Sequence, residues 1–271
     1  MKINSINSAS NSLLKKVRSL QQRSGREEHG LFLLEGPKLL FEAQSKGIAI
    51  KDVIVSASYL NSGFEASEYP QLTEITVVED KLFKDLMTTT TPCGIISVGK
   101  IKTSDFSDCL KGASTLLAVA ESVQDPGNLG TMIRAALAFG ATGLVATAGS
   151  VDAFNPKVVR SAMGALFKLP VIVGMRMDDL ADKLKNENVH MVALDAKATK
   201  PLWEVDMHQG LAFVFGNEGN GLTGQAADLA DELVAIPMTA DTESLNVAVS
   251  SGVVLFECAR QRASASGKIS P

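Results

Sequence analysis

"GLAFVFGNEGNGL", residues 210–222, sets an unbroken apolar run directly before a glycine loop that carries a carboxylate. Five consecutive apolar residues have no polar face to turn towards water. They read as a strand covered on both sides, the condition of a parallel sheet packed between helices. In open sheets of that kind, ligands sit beyond the carboxyl ends of the strands, which makes the following loop a candidate binding element. Glu218 restricts the ligand. The loop lacks the Gly-Lys-Ser/Thr of a phosphate cradle, and a carboxylate would repel phosphate oxygens. Hydroxyls, amino groups or a cation suit it better. Glu218 accepting from backbone amides of its own loop is the competing, purely structural reading.

The flanking sequence has the same character. Apolar runs at "TLLAVAES" (115–122), "TGLVAT" (142–147), "LPVIVG" (169–174), "VHMVALD" (189–195) and "ELVAIPM" (232–238) predict further strands, with helices between them and a closing helix over 244–262. Two more of these strands lead into informative loops. "QDPGN" (124–128) opens a helix in which Asn128 is a candidate cap and Arg134 lies on the second turn. On that loop alone, an ordinary strand–turn–helix is the simpler account, and GxxG does not satisfy the dinucleotide fingerprint GxGxxG. "IPMTADTESLNVAV" (236–249) offers Ser244 as a helix cap, with Asn246 inside the first turn, where asparagine is a poor helix former.

Residues 30–100 alternate shorter strands ("LFLLEG", "DVIVS", "EITVVE", "GIISVG") with helices, among them "GPKLLFEAQSKG", and form a small α/β unit. The predicted domains are residues 1–100, a polar linker over 101–114, and residues 115–271, with no regular structure in the tail 263–271. Net charge is −4, from 26 Lys and Arg against 30 Asp and Glu, yet Lys2, Lys15, Lys16, Arg18, Arg23 and Arg26 all precede the first acid, Glu27. Such a one-signed arm suits docking on phosphate, although a solvated helix face is an equally good account. Three scattered cysteines and three isolated histidines predict neither a disulfide framework nor a metal site. No apolar run approaches the ~20 residues of a membrane span, so a soluble, cytoplasmic protein is expected. The serine-rich, acid-free start also has the composition of an organelle transit peptide.

Taken together, "DPGNLGTMIRAALAFG", "FGNEGNGL" and "IPM…ESLNVAV" resemble the three motifs of the SpoU (TrmH) family of RNA ribose 2′-O-methyltransferases, in the family's order. "NPKVVRSAMGALFKLPV" (155–171) is similar to a segment between the first two motifs. "GLFLLEGPKLLFEAQSKG" resembles the L30e/L7Ae-like substrate-binding domain of rRNA-directed members. The resemblance implies a SPOUT-class catalytic domain with a deep trefoil knot, S-adenosylmethionine as cofactor, an RNA substrate (rRNA in preference to tRNA), and a homodimer paired through the last helix. It assigns catalysis to Arg134, Asn128, Glu218, Ser244 and Asn246, and cofactor contact to Gly216, Ile236, Met238, Leu245 and Asn246. RNA contact is expected from Lys15, Lys16, Arg18, Arg23 and Arg26. A catalytically silent RNA-binding protein and a nicotinamide-dependent oxidoreductase are the alternatives.

Overall fold

The computed structural model describes residues 1–89, 92–239 and 244–266. In chain order the strands are β1 (Lys2–Ile6), β2 (Leu31–Glu35), β3 (Ile50–Ser56), β4 (Glu74–Val78), β5 (Ile95–Lys100), β6 (Leu116–Ala120), β7 (Gly143–Thr147), β8 (Val171–Met175), β9 (His190–Leu194), β10 (Leu211–Phe215) and β11 (Glu232–Val234). The helices are α1 (Ser12–Ser19), α2 (Arg23–His29), α3 (Pro37–Ser45), α4 (Ala57–Ser62), α5 (Asp80–Lys84), α6 (Pro126–Ala138), α7 (Pro156–Ser161), α8 (Met177–Asn186), α9 (Gly224–Leu229) and α10 (Val247–Ser266). None of the described helices is long and apolar enough to cross a membrane. The chain forms two compact units, Met1–Lys102 with Phe154–Phe167, and Thr103–Ala153 with Lys168–Pro271.

The first unit is a five-stranded sheet of order β1-β4-β3-β5-β2, in which β5 runs antiparallel to both its neighbours. The amino terminus is no free arm. "KINSI" pairs in parallel with β4, and α1 buries Leu14 and Val17. Its cations are largely engaged: Lys16 with Asp52 at 2.8 Å, Arg18 with the Ala9 carbonyl at 2.8 Å and Arg23 with Glu27 at 2.6 Å. Arg26 is a correction to the expected RNA-binding set. It is 2% exposed and donates to the Leu20 and Gln21 carbonyls, so it holds the turn between α1 and α2. Of the five, Lys15 and Arg23 remain solvent-exposed.

Residues 154–167 belong to this unit through apolar and ionic contacts. Phe154 and Phe167 pack on Phe32, at ring separations of 5.2 and 6.0 Å. The buried Glu35 carboxylate accepts from the Thr88 amide and hydroxyl and from Arg160 at 3.3 Å.

The second unit is an all-parallel sheet of order β11-β9-β10-β6-β7-β8. After β6 the chain builds β7 and β8 on one side, then crosses to add β9, β10 and β11 on the other. The reversal falls between β6 and β10, both wholly buried, and that is where ligand-binding crevices open in such sheets. The polar stretch 101–114 is more than a connector, because Cys109 is fully buried with Phe106 and Leu110 packed beside it. At the chain's end α10 continues to Ser266, beyond the predicted stop, and residues 267–271 lie outside the described set.

Arg262, near the end of α10, donates to four main-chain carbonyls: Met207 and Gln209 at 2.7 Å, Ser114 at 3.0 Å and Thr115 at 3.2 Å. A planar guanidinium fills this fork, and lysine cannot reproduce it. Urea unfolding of Arg262→Ala should show a loss of about 2–3 kcal/mol, with Arg262→Lys recovering only part of it. Parental stability in Arg262→Ala would mean the clamp is ornamental.

Candidate active site

The loops after β6 and β10 lie side by side because their strands do, and polar side chains lock them together. Glu218 reaches across to the first loop, accepting from the Asp125 amide at 3.0 Å and the Gln124 amide at 3.2 Å. The amides of the first loop, together with Glu218's own backbone amide, explain how a carboxylate stands here. Asn128 donates its Nδ2 to Glu218 at 2.9 Å, and Asn246 donates its Nδ2 to Asn128 Oδ1 at 3.0 Å. Residues 90 and 118 positions apart thus form one hydrogen-bonded chain through all three motifs. Burial opposes ionisation of Glu218, but the bonds from Asn128 and the backbone amides outweigh it and hold the carboxyl below its ordinary range.

Two caps differ from expectation. Asp125 caps α6, accepting from the Asn128 amide at 2.9 Å, which leaves the Asn128 side chain free for the chain to Glu218. α10 begins at Val247, so Asn246 precedes the helix, and its Oδ1 accepts from the Ala248 and Val249 amides at 2.9 and 3.3 Å. One asparagine therefore caps a helix through its oxygen and reads another motif through its nitrogen. Ser244 lies outside the helix, and residues 240–243 are outside the described set.

A cavity of about 350 Å³ opens beside this chain, large enough for a nucleoside-sized ligand. Gly216, Ile236, Met238, Ser244, Leu245 and Asn246 all line it, as does Glu218. The strand predicted over 232–238 ends at Val234, freeing Ile236 and Met238 to turn into the wall. Gly216 is required for a reason internal to the protein. A Cβ there would stand 2.3 Å from the Gly221 carbonyl carbon and 2.4 Å from the Leu222 nitrogen, so the loop folds back onto Gly216.

Arg134 is the candidate catalytic residue that the network does not include. It sits on the third turn of α6 and not the second, six residues and therefore about 240° of helix from Asn128. It is exposed, is absent from the cavity lining, and makes no hydrogen bond or ion pair with any described residue. Sequence reasoning passed over other members of the site. Asn217 donates to the Ser122 carbonyl at 2.8 Å and receives the Gly219 and Asn220 amides, shaping the glycine loop. Ser122 holds the left-handed φ of 55° that aims this carbonyl. The 2%-exposed Glu121 accepts from the Thr223 amide at the loop's exit. Their signal was the cluster of polar residues directly after two apolar strands.

Residues 115–256 match the model of the SpoU rRNA Methylase family. The chain belongs to that family. Residues 11–97 match the MRM3-like substrate binding domain. Over 266 residues, 97% of this chain and 96% of the other, the chain is 34% identical to an uncharacterized tRNA/rRNA methyltransferase of Synechocystis sp.. It is 31% identical to the 23S rRNA (guanosine(2553)-2′-O)-methyltransferase RlmP of Bacillus subtilis, over 93% of this chain and 97% of RlmP. Among solved structures it is similar to the SpoU methyltransferase AviRb of Streptomyces viridochromogenes in complex with AdoMet, with a TM-score of 0.87 and 25% identity over 94% of this chain and 99% of AviRb.

The network predicts a pH signature. A carboxyl whose folded pKa is lowered contributes stability above the unfolded value of ~4.3, and that contribution is lost as pH falls through the lower folded value. NMR titration should place Glu218 below the free-glutamate range and show its pKa rising in Asn128→Ala. A Glu218 pKa that ignores Asn128 would contradict the chain as described.

Proposed function

We propose that this SpoU-family chain transfers the methyl group of S-adenosylmethionine to a ribose 2′-hydroxyl of rRNA. The O–C bond forms as the C–S bond breaks, the hydroxyl proton leaves, and S-adenosylhomocysteine remains. The observation that carries the reading is the hydrogen-bonded chain Asn246–Asn128–Glu218 closing on a nucleoside-sized cavity lined by Gly216, Ile236, Met238, Ser244 and Leu245. Adenosine and a sulfonium are neutral or cationic, and an acidic loop tolerates both. The rRNA methyltransferase named above and the substrate-binding family model over residues 11–97 support an RNA substrate of the ribosome, met in the cytoplasm. Lys15 and its neighbours on α1 supply part of the attraction to phosphate.

A 2′-hydroxyl is a weak nucleophile at neutral pH, so the developing alkoxide must be stabilised or its proton removed. Arg134 fills the first role in this reading. A guanidinium is too weak an acid to act as a base, but its fork grips a phosphate and an emerging oxyanion together. Glu218 and Asn246 shape the cavity mouth with Asn128 bridging them, since their geometry already spends most of their hydrogen bonds on one another and on the backbone.

Arg134 faces away from the network of its own subunit, and that supports a homodimer. On α10, Val249, Val253 and Phe256 form an exposed stripe at helical spacing, with Phe256 resting edge-on against Phe139 of α6. Two-fold pairing through this stripe would cover it and carry each Arg134 to the partner's cavity. A trefoil-knotted path around the cavity belongs to the same reading.

Mixing two inactive variants tests both ideas. Arg134→Ala keeps a sound cavity, and Ile236→Trp fills it while keeping the arginine. If the arginine acts across the dimer, co-refolded mixtures should regain about a quarter of parental methyl transfer, because half the dimers then hold one complete site. No recovery from dimers shown to exchange would place Arg134 in its own subunit's site. Arg134→Lys, tested alone in single turnover, should lose on the order of a hundredfold in rate with little change in cofactor affinity.

A further inference from the structure

Asp195 lines the cavity and has no part in the reading above. It follows β9, whose register with β10 ends at Ala193 opposite Val214, so two residues on it stands level with Gly216. On its other side its amide donates to the Val234 carbonyl at 3.0 Å, next to the turn that delivers Ile236. Asp195 thus lies between Gly216 and the turn to Ile236, two positions assigned to cofactor contact, and lines the same cavity. Its Oδ1 accepts from the Lys197 amide at 2.8 Å, closing a local turn, and its Oδ2 has no partner among the described residues. The other carboxylate of the cavity, Glu218, is already occupied by the first loop and Asn128.

Resting on the cofactor assignment of this cavity, we infer that Asp195 accepts a hydrogen bond from the ribose hydroxyls of bound S-adenosylmethionine. A carboxylate at a strand's carboxyl end is a recurrent solution for gripping a nucleoside diol, because it accepts from two hydroxyls without donating. The alternative partner on the same ligand is the α-ammonium of its methionine part. Sheet geometry favours the ribose. The end of β9 is two strand spacings, about 10 Å, from the end of β6, where the Asn128–Glu218 chain marks the side of methyl transfer.

The full-length protein, titrated calorimetrically with S-adenosylhomocysteine, provides the test. Asp195→Asn keeps the oxygen that the Lys197 amide needs, so it preserves the local turn while replacing the free acceptor with an amide. It should lose about tenfold in affinity, and Asp195→Ala on the order of ten- to a hundredfold. The parental protein should discriminate against the 2′-deoxy and 3′-deoxy forms of S-adenosylhomocysteine, and Asp195→Asn should have lost most of that discrimination. Both variants should be equally impaired towards 5′-methylthioadenosine, which lacks the amino acid. Unchanged affinity in Asp195→Asn, or full binding of 5′-methylthioadenosine by the variants, overturns the ribose assignment and leaves the cavity reading standing. Failure of the parental protein to bind S-adenosylhomocysteine, or undiminished binding by Ile236→Trp, overturns the cavity reading and the Asp195 inference with it.

Discussion

Two peptide N–H groups of the first loop point at the Glu218 carboxylate, and the catalytic unit is organised around that pairing. Without those donors a carboxylate in a glycine loop would be left poorly satisfied beside the buried ends of β6 and β10. With them it becomes an acceptor strong enough to orient Asn128, and Asn128 in turn has one oxygen left to receive Asn246. Each amide side chain gives with its nitrogen and receives with its oxygen, so the direction of the chain is set by its anionic end. This is why two asparagines serve where serine or aspartate would not. Serine has too short a reach, and aspartate would bring a second anion towards Glu218.

The same interaction explains which parts of the site tolerate exposure. Glu218 and Asn246 are solvent-facing, yet their geometry is fixed by bonds to backbone amides that belong to structured loops. The backbone carries the precision and the side chains carry the specificity. Asn217, aimed at a carbonyl that the left-handed Ser122 presents, extends the same device one residue upstream of Glu218.

Much of this was legible in the sequence. Unbroken apolar runs marked the parallel strands, and the glycine, asparagine and acid clusters behind them marked the loops. Local signals could not rank competing caps. Asp125 and Asn128 both suit the start of α6, as Ser244 and Asn246 suit the start of α10, and contacts made 118 positions apart decide between them. Local signals likewise could not tell which cations of the basic amino terminus are engaged within the fold. Its cations are answered by Asp52, Glu27 and main-chain carbonyls, and the burial of Arg26 depends on the close crossing of α1 and α2 that Gly25 permits. β1 escaped notice because an edge strand with Ile3 54% exposed shows no apolar run. Residues 154–167 read as part of the catalytic domain, whereas the packing of Phe154 and Phe167 on Phe32 and the Arg160–Glu35 pair join them to the first unit.

Arg262 also has a consequence for biosynthesis. Its four acceptors, at Ser114, Thr115, Met207 and Gln209, are translated well before it, and until it arrives the far end of α10 lacks this clamp. Asn246, the last donor of the hydrogen-bonded chain, rides on the near end of the same helix. A nascent chain can therefore lay down the whole parallel sheet and both glycine-rich loops while its cavity still lacks one wall. Assembly of the wall waits for the final helix, so prematurely terminated products would be folded in large part and unable to bind the cofactor.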